Sequence, residues 1–527
     1  MRLTDPPADQ LIQTAYARET GDAAILYEGM SLADLAHVIE LIEIRVAPPQ
    51  AGGELLAALL EIHPSPPLDF GLDPARGDVY SNREAYLKML GAPAGWLSAG
   101  RARREATTIA YRIAARERLL TLAAALEECT VAALDLAESH RTTLFPDYTY
   151  LQPAQPTTFG HYVLTFVHPL LRDLDRTRAA FERTNVSPAG SGSVNGSRLP
   201  LDRNRLAERL GFDTVIPHTR DAMWQADGPI EIAAVLTSIL ITLDRLAEDL
   251  QIFSTAEFGL VELADRHARI SVIMPQKKNP YALAYVRGVC AETIGMQAAL
   301  AAVGKTPSGQ IDNRMFAYGD VPRALDNAVG AIRLMADVLR GLTVHVDVAA
   351  QRVSENFIGA TDLAEVIMLQ CGLDYKTAHD VVARAVRAAL ESGATTFTPE
   401  LLEAAAETVV GRKLGLTTET IVEALDPARI VAARTGVGGA GESAVNALIA
   451  DCRRAVTDHT RWREAAETRL AGAKSSLLMK AMSLKITPAI LDQPASTSEP
   501  SSKPNPQALE DLVDDLPRPP LRRRWGE

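Results

Sequence analysis

Aromatic residues, paired cysteines and long apolar runs are scarce in this chain of 527 residues. Phe, Trp and Tyr make up only 5% of it, which disfavours a β-sandwich because strands are rich in aromatic and β-branched residues. The four cysteines (Cys129, Cys290, Cys371 and Cys452) are far apart and show no CxxC spacing. Neither a disulfide framework nor a zinc site is predicted, and a reducing cytoplasm fits best.

Charge and hydropathy argue against nucleic-acid and membrane partners. The net charge is −12, so no basic face for nucleic acid is implied. The longest relevant apolar run, Ile232 to Leu243, has twelve residues, whereas a membrane-spanning helix needs about 20. The first residues, MRLTDPPADQ, lack the pattern of a signal peptide. We expect no metal and no cofactor.

Helical periodicity is abundant, and it predicts an all-α fold. Apolar residues recur at helical spacing in five long stretches, which are 101–140, 159–184, 230–253, 282–303 and 323–342. Long helices in the middle of a chain indicate a bundle. We predict an N-terminal helical domain (1–100), a central long-helix bundle (101–355), a C-terminal helical domain (356–485) and a disordered tail rich in Pro and Ser (486–527).

The most informative segment is Ser271-Val-Ile-Met-Pro-Gln-Lys-Lys-Asn-Pro280. It combines a serine, two lysines and an asparagine in a loop that ends where a long helix begins. Two ammonium groups, an amide and a helix N-terminus can converge there on an anion. A basic turn that caps the helix explains the same composition, and composition alone leaves both readings open.

This segment is similar to the signature GSSxMPxKxNP of the fumarase/aspartase superfamily, and it shares MPQKKNP with argininosuccinate lyases. Four further segments resemble the family in the same order, namely Gly100–Arg103, Tyr148–Pro156, Gly190–Gly196 and the region of Arg434. The resemblance spans most of the chain. It implies a three-domain all-α fold with a long central bundle, a homotetramer, and active sites each assembled from three chains.

The resemblance also implies a reaction, the β-elimination of an amine from a small anionic succinyl-type substrate. Ser271 would be the general base, Lys277 would bind the substrate carboxylate, and Tyr150 occupies a third catalytic position. A doubly charged carbanion would form, and fixed cations and N–H donors would stabilise it. Substrate-binding positions of the family fall on Arg101, Arg103, Arg104, Thr149, Gln155, Asn279 and Gln310. For Thr149 and Gln155, helix capping is the alternative.

Several catalytic positions depart from the family pattern. The family's histidine in YTHLQ is Tyr150 here, and tyrosine is a poor base at neutral pH although it can donate a proton. The glycine and the second serine beside the catalytic serine are Ile270 and Val272. Without that glycine the loop should be stiffer.

Substrate positions depart from the pattern as well. Arg104 stands where the family has a fumarate-binding asparagine, and Gln310 and Met315 replace the tyrosine and glutamine that hold the arginine half. We therefore expect an amine other than arginine. Arg104 either meets an extra anionic group of the substrate or pairs with Glu105 or another carboxylate.

Three functions follow from these observations. The first is a carbon–nitrogen lyase that releases fumarate, or a substituted fumarate, from an N-substituted aspartate. The second is a catalytically silent relative with a structural or binding role, which the lost histidine, glycine and serine favour. The third is a cycloisomerase that uses the same base and carboxylate clamp. Loss of activity in Ser271→Ala separates the first from the second, and product analysis identifies the third.

Overall fold

The computed structural model describes residues 5–66, 70–310 and 312–486. Most of these residues lie in helices, and the strands form only two-stranded pairs, which confirms the predicted all-α class. None of the helices in this described part is long and apolar enough to cross a membrane. The predicted tail lies outside the described residues except for Ile486.

Short helices surround one long helix in the first hundred residues. The helices are α1 (Asp9–Leu11), α2 (Ala17–Gly21), α3 (Ala23–Glu43), α4 (Pro49–Glu61) and α5 (Val79–Met89), with a π-helical turn at Ile12–Tyr16 and 3₁₀ turns at Pro74–Arg76 and Ala94–Ser98. Helix α3 is buried over most of its surface. It therefore belongs to the core, and the surrounding helices cover it.

The long helices of the central region confirm the prediction that was made from the helical spacing of apolar residues. They and their short connectors are α6 (Arg103–Ser139), α7 (Phe159–Thr184), α8 (Arg203–Arg209), α9 (Thr219–Trp224), α10 (Asp227–Phe253), α11 (Tyr281–Gly304) and α12 (Asp312–Arg340). The prediction that the last of these begins at 323 was wrong. Pro322 lies inside α12, so the helix accommodates a residue that usually marks a boundary.

The C-terminal region contains short helices and one very long one. They are α13 (Val346–Arg352), α14 (Ala360–Cys371), α15 (Tyr375–Glu391), α16 (Pro399–Val410), α17 (Thr418–Leu425), α18 (Pro427–Ala432) and α19 (Glu442–Leu484). None of the five long stretches predicted from the sequence corresponds to α19, which has 43 residues. This helix packs back on α3, α4, α6 and α7, and that packing stabilises its length.

Two hydrophobic clusters hold these helices together. The larger one joins α3 and α4 to α6, α7, α10, α11, α12 and α19. The smaller one lies within residues 363–424 and includes Leu363, Ile367, Val381 and Leu402. The domain boundaries near 100 and 356 stay predictions.

The short strands position loops around the bundle. They are β1 (Leu144–Thr149), β2 (Gln152–Thr158), β3 (Val186–Ser187), β4 (Thr214–Val215), β5 (Val261–Glu262), β6 (Arg269–Ile270), β7 (Lys278–Asn279) and β8 (Thr343–Val344). The pairs are β1–β2, β3–β4, β5–β8 and β6–β7, and only β3–β4 is parallel. Two antiparallel hairpins, β1–β2 and β6–β7, carry most of the expected catalytic residues.

Candidate active site

The β6–β7 hairpin brings the expected base and the expected cation to the two ends of one loop. Arg269 pairs with Asn279 and Ile270 with Lys278, so the next positions in the same register are Ser271 and Lys277. The two residues therefore flank the base of one loop, immediately before α11.

Hydrogen bonds within this loop hold the serine oxygen. The backbone N–H of Met274 donates to Ser271 Oγ at 3.1 Å, and the N–H of Lys277 donates to the Met274 carbonyl at 3.0 Å. Asn279 Nδ2 donates to the Arg269 carbonyl at 2.9 Å and ties the two strands together. A backbone donor thus already points at the oxygen that would become negative.

The two lysines of the loop have different environments. Lys278 Nζ lies 2.8 Å from both Glu262 and Asp265, and its hydrogen bonds to these carboxylates raise the pKa of Lys278. Lys277 is exposed, and no hydrogen bond or ion pair joins its ammonium to the described residues. Of the two lysines in this loop, Lys277 is therefore the one with a free ammonium among the described residues, and its role stays a prediction.

The loop presents apolar side chains to solvent in the isolated chain. Ile270 is 71% exposed, Val272 99% and Ile273 84%. An apolar patch of this kind usually marks a surface that another molecule covers. The residues that replaced the family's glycine and second serine therefore lie on the outer side of the loop.

Thr149, Tyr150 and Gln155 lie on the second hairpin. Thr149 pairs with Gln152, and Tyr150 and Leu151 between them have φ values of 55° and 58°. Two positive φ angles are typical of the two-residue hairpin turn that Asn-Gly usually forms. Tyr150 is therefore held in a strained conformation, with its side chain 99% exposed.

The alternative of helix capping for Thr149 and Gln155 was wrong. Both are exposed residues of the hairpin, and helix α7 starts later, at Phe159. Its cap is Thr158, whose hydroxyl accepts from the N–H of His161 at 3.0 Å. The prolines of this segment lie in strand β2 rather than at a helix start.

Arg101 lies in a buried ion network. Its Nη2 donates to Asp34 at 2.6 Å, and its Nε and Nη1 donate to the carbonyls of Leu97 and Ala33. Arg83 bonds to the other oxygen of Asp34 at 3.1 Å, and all three side chains are 1% exposed. This geometry gives Arg101 a structural role, and its substrate role stays a prediction.

Arg103 and Arg104 also have protein partners. Arg103 lies 3.3 Å from Asp78. Arg104 forms two hydrogen bonds with the carboxylate of Glu19 at 3.1 and 3.4 Å. Of the two alternatives for Arg104, the structure shows the one in which it pairs with a carboxylate of the protein. The partner is Glu19 and not Glu105. The charge of Arg104 is neutralised without a substrate.

The expected residues form three groups in the described part of the chain. Ser271, Lys277 and Asn279 share one hairpin. Thr149, Tyr150 and Gln155 share the other. Arg101, Arg103 and Arg104 lie at the start of α6, and no hydrogen bond or ion pair within the described residues joins one group to another. Gln310 is exposed, and its backbone N–H donates to the Pro307 carbonyl.

Sequence reasoning missed the role of Glu105. Its carboxylate accepts from the N–H groups of Gly190 and Gly192 at 2.7 and 2.6 Å, so the glycine-rich loop binds an internal carboxylate. Burial raises the pKa of Glu105 to about 7 despite the opposing effects of Arg101 and these N–H groups. An acidic residue in the first turn of α6 was the available signal.

Comparisons with known proteins identify the family of this chain. A family model described as Lyase matches residues 57–295, and one described as Argininosuccinate lyase C-terminal matches residues 357–432. The argininosuccinate lyase of Methanoculleus marisnigri is 34% identical over 459 residues, which cover 85% of this chain and 92% of that protein. That of Halobacterium salinarum is 34% identical over 437 residues, covering 82% and 88%.

Solved structures give the same result. EDDS lyase in complex with formate has a TM-score of 0.82 and 28% identity, covering 91% of this chain and 96% of that chain. An EDDS lyase variant with bound fumarate gives the same values. The chain therefore belongs to the argininosuccinate lyase-like branch of the fumarase/aspartase superfamily and is a carbon–nitrogen lyase.

Proposed function

We propose that this lyase cleaves an N-substituted aspartate by β-elimination and releases fumarate, or a substituted fumarate, and an amine. The observation that carries the proposal is the β6–β7 hairpin, whose last ladder pair, Ile270 with Lys278, leaves Ser271 and Lys277 at the two ends of one loop. The fumarate bound in an EDDS lyase variant, a structural neighbour, supports fumarate as the product.

Ser271 acts as the base in this proposal. A serine hydroxyl is a very weak acid, so its alkoxide needs stabilisation by donors and cations in a dry site. The N–H of Met274 supplies one donor at 3.1 Å. The free ammonium of Lys277 supplies positive charge near the substrate carboxylate, onto which the carbanion charge spreads.

Tyr150 protonates the departing amine in this proposal. Its phenol is fully exposed on the hairpin turn, where Tyr150 has a φ of 55°. A phenol is a weak acid, so it can deliver a proton to an amine as the C–N bond breaks and recover it from solvent. It replaces the family's histidine in the donor role only.

The substrate in this proposal is not argininosuccinate. Gln310 and Met315 occupy the positions at which the family holds the arginine half. Arg104 is bound to Glu19 and adds no free cation at the fumarate-binding position. The fumarate half is therefore bound mainly by the Ser271 loop, and the amine half meets different side chains.

A homotetramer completes the site in this proposal. Helix α11 exposes Ala284, Gly288, Ala291 and Gly295 along one face, and a Cβ atom placed on either glycine would meet open space. Small residues at this spacing allow two helices to approach closely. Together with the exposed apolar loop at 270–273, this face fits further copies of the chain.

The four free cysteines support a reducing cytoplasm as the location of the protein.

The variant Ser271→Ala tests the proposal. We expect it to lose about 10²–10⁴-fold in kcat for fumarate release from a panel of N-substituted aspartates, because the base is removed. Ser139→Ala is a matched control, since the exposed Ser139 hydroxyl only donates to the Asp135 carbonyl on α6. The tetramer should persist in both variants when molar mass is measured by light scattering.

Three outcomes contradict the proposal or part of it. Equal turnover in wild type and Ser271→Ala removes the base assignment. A folded wild type that turns over no member of the panel supports the silent relative, which the replaced glycine and serine favour. Turnover of argininosuccinate at an ordinary rate for the family refutes the altered substrate.

A further inference from the structure

Arg314 on α12 is a buried cation with two nitrogen donors that make no hydrogen bond within the described residues. Its residue is only 4% exposed, and Cζ lies 4.1 Å from the centre of the Trp224 ring. Nη1 donates to Thr108 Oγ1 at 3.2 Å. Nε and Nη2 are buried without a hydrogen-bond partner in the described parts of the chain. A buried guanidinium in this condition is unfavourable unless a ligand completes its hydrogen bonds.

The geometry of the two unused donors identifies the ligand chemistry. Nε and Nη2 form one edge of the planar guanidinium, with their N–H bonds nearly parallel. A carboxylate presents two oxygens at the matching spacing and accepts both bonds together. Burial is the main cause that lowers the pKa of Arg314, and a bound anion would offset that effect.

Arg314 lines a cavity of about 90 Å³ with a second unused donor. Tyr111 also lines this cavity, and its hydroxyl is buried without a partner among the described residues. The Tyr111 ring stacks on Tyr318 at 4.2 Å, and Tyr318 donates to Thr108. Burial raises the pKa of Tyr111, so its hydroxyl stays protonated as a donor.

The cavity has acidic residues at its exposed side. Asp221 and Asp227 are exposed lining residues, and Glu231 pairs with Arg183. A ligand with a carboxylate at its inner end and an ammonium at its outer end matches both parts. An amino acid has this distribution of charge.

Arg314 also borders the predicted substrate residues. It lines a second, smaller cavity together with Arg104 and Glu19, and it lies four residues after Gln310 in the sequence. Arg104 is neutralised by Glu19, whereas Arg314 has no carboxylate partner in the described ranges. Arg314 is thus a cation next to Arg104 that an extra anionic group of the substrate could pair with.

We propose that Arg314 and Tyr111 bind a carboxylate on the amine half of the substrate, so that the amine released is an amino acid. This inference rests on the proposed function, because it assigns the amine of the same elimination. It makes Arg314 a specificity-determining residue, whereas the Ser271 loop binds the fumarate half.

The reverse reaction tests this assignment. The tetramer is given fumarate with amino acids and their decarboxylated amines: glycine with methylamine, alanine with ethylamine, and arginine with agmatine. We expect the amino acid of at least one pair to react, with kcat/KM at least about tenfold above that of its amine. Arg314→Met should remove this preference mainly through KM, and Arg314→Lys should restore it in part because lysine lacks the planar fork. Arg333→Met is the control, since Arg333 is an exposed residue of α12 that pairs with Glu128.

A second measurement reports binding without catalysis. Trp224 lies against Arg314, so its fluorescence should change saturably with the preferred amino acid and not with the matching amine. Trp224→Phe assigns the signal, and Arg314→Met should abolish it. If no amine adds to fumarate while this selective titration persists, the proposed function fails and the carboxylate site stands. If amines react as well as amino acids, or if Arg314→Met titrates like wild type, the carboxylate site is refuted while the lyase stands. A wild type without any fluorescence response also refutes it.

Discussion

Replacing Asp34 by asparagine tests the buried network that holds Arg101. Asp34 is the shared counter-ion of Arg83 and Arg101, at 3.1 and 2.6 Å, and all three side chains are 1% exposed. Burial lowers the pKa of Arg101, but the Asp34 carboxylate outweighs burial and the net pKa is raised. Arginine keeps its charge in proteins, so removing the carboxylate leaves buried positive charge without its counter-ion.

The expected loss of stability follows from this geometry. Removing one partner of a buried ion pair destabilises a protein by about 3–5 kcal/mol, because the other charge is left buried. Asp34→Asn leaves two such charges, so we expect a loss near the upper end of that range. Unfolding in urea, followed by circular dichroism at one protein concentration, measures it, since assembly contributes to the apparent stability.

Asp326→Asn provides the matched control. Asp326 is 55% exposed and lies 3.0 Å from Arg118, so its loss should lower the free energy of unfolding by about 1 kcal/mol or less. If Asp34→Asn costs no more than this control, the reasoning fails, and Arg101 is free to serve a substrate. A large loss supports the structural role of Arg101.

Two further predictions concern the packing around α6. Burial raises the pKa of Glu105 to about 7, above its ordinary value of 4.5, so the folded protein holds this proton more tightly than the unfolded chain. Its contribution to stability is full below pH 4.5 and is lost as the pH rises to about 7, and Glu105→Gln should flatten this fall in unfolding free energy. Gly29→Ala should lower the free energy of unfolding by about 1–3 kcal/mol, because the new Cβ would lie 2.8 Å from Ala110 Cα. Gly472→Ala in the open part of α19 should be neutral or stabilising, and equal effects of the two alanines would contradict the packing argument.

The long helices could be predicted because their cause is local. Apolar residues at helical spacing, without proline or glycine, predicted α6, and the structure gives α7 the predicted bounds of 159–184. Where the cause is tertiary, the prediction failed. Helix α19 has few buried apolar residues for its length, and it is held by its contacts with distant helices.

The candidate site also divides into features with a local cause, which could be predicted, and features with a tertiary cause, which could not. The motif from Ser271 to Pro280 predicted which residues are brought together, since a hairpin joins residues close in sequence. It could not predict that Glu19 pairs with Arg104 or that Asp34 pairs with Arg101, because those partners lie more than 60 positions away in the sequence. Arg314 belongs to no motif, and it is marked only by two buried nitrogens, Nε and Nη2, that have no hydrogen-bond partner in the described residues.

Exposure of the expected catalytic groups has a physical consequence. A serine alkoxide in open water would be protonated at once, and Coulomb attraction to Lys277 is weak in a high dielectric. The loop that carries Ser271 is exposed in the single chain, as is Tyr150 on the other hairpin. Elimination by this chemistry therefore requires that another surface cover the loop and exclude water. The apolar side chains of Val272 and Ile273 favour such burial, since each one covered contributes about 1.5–3 kcal/mol. Val272, which stands in place of the family's second serine, would then strengthen closure of the loop, while Ile270 in place of the glycine makes the loop stiffer.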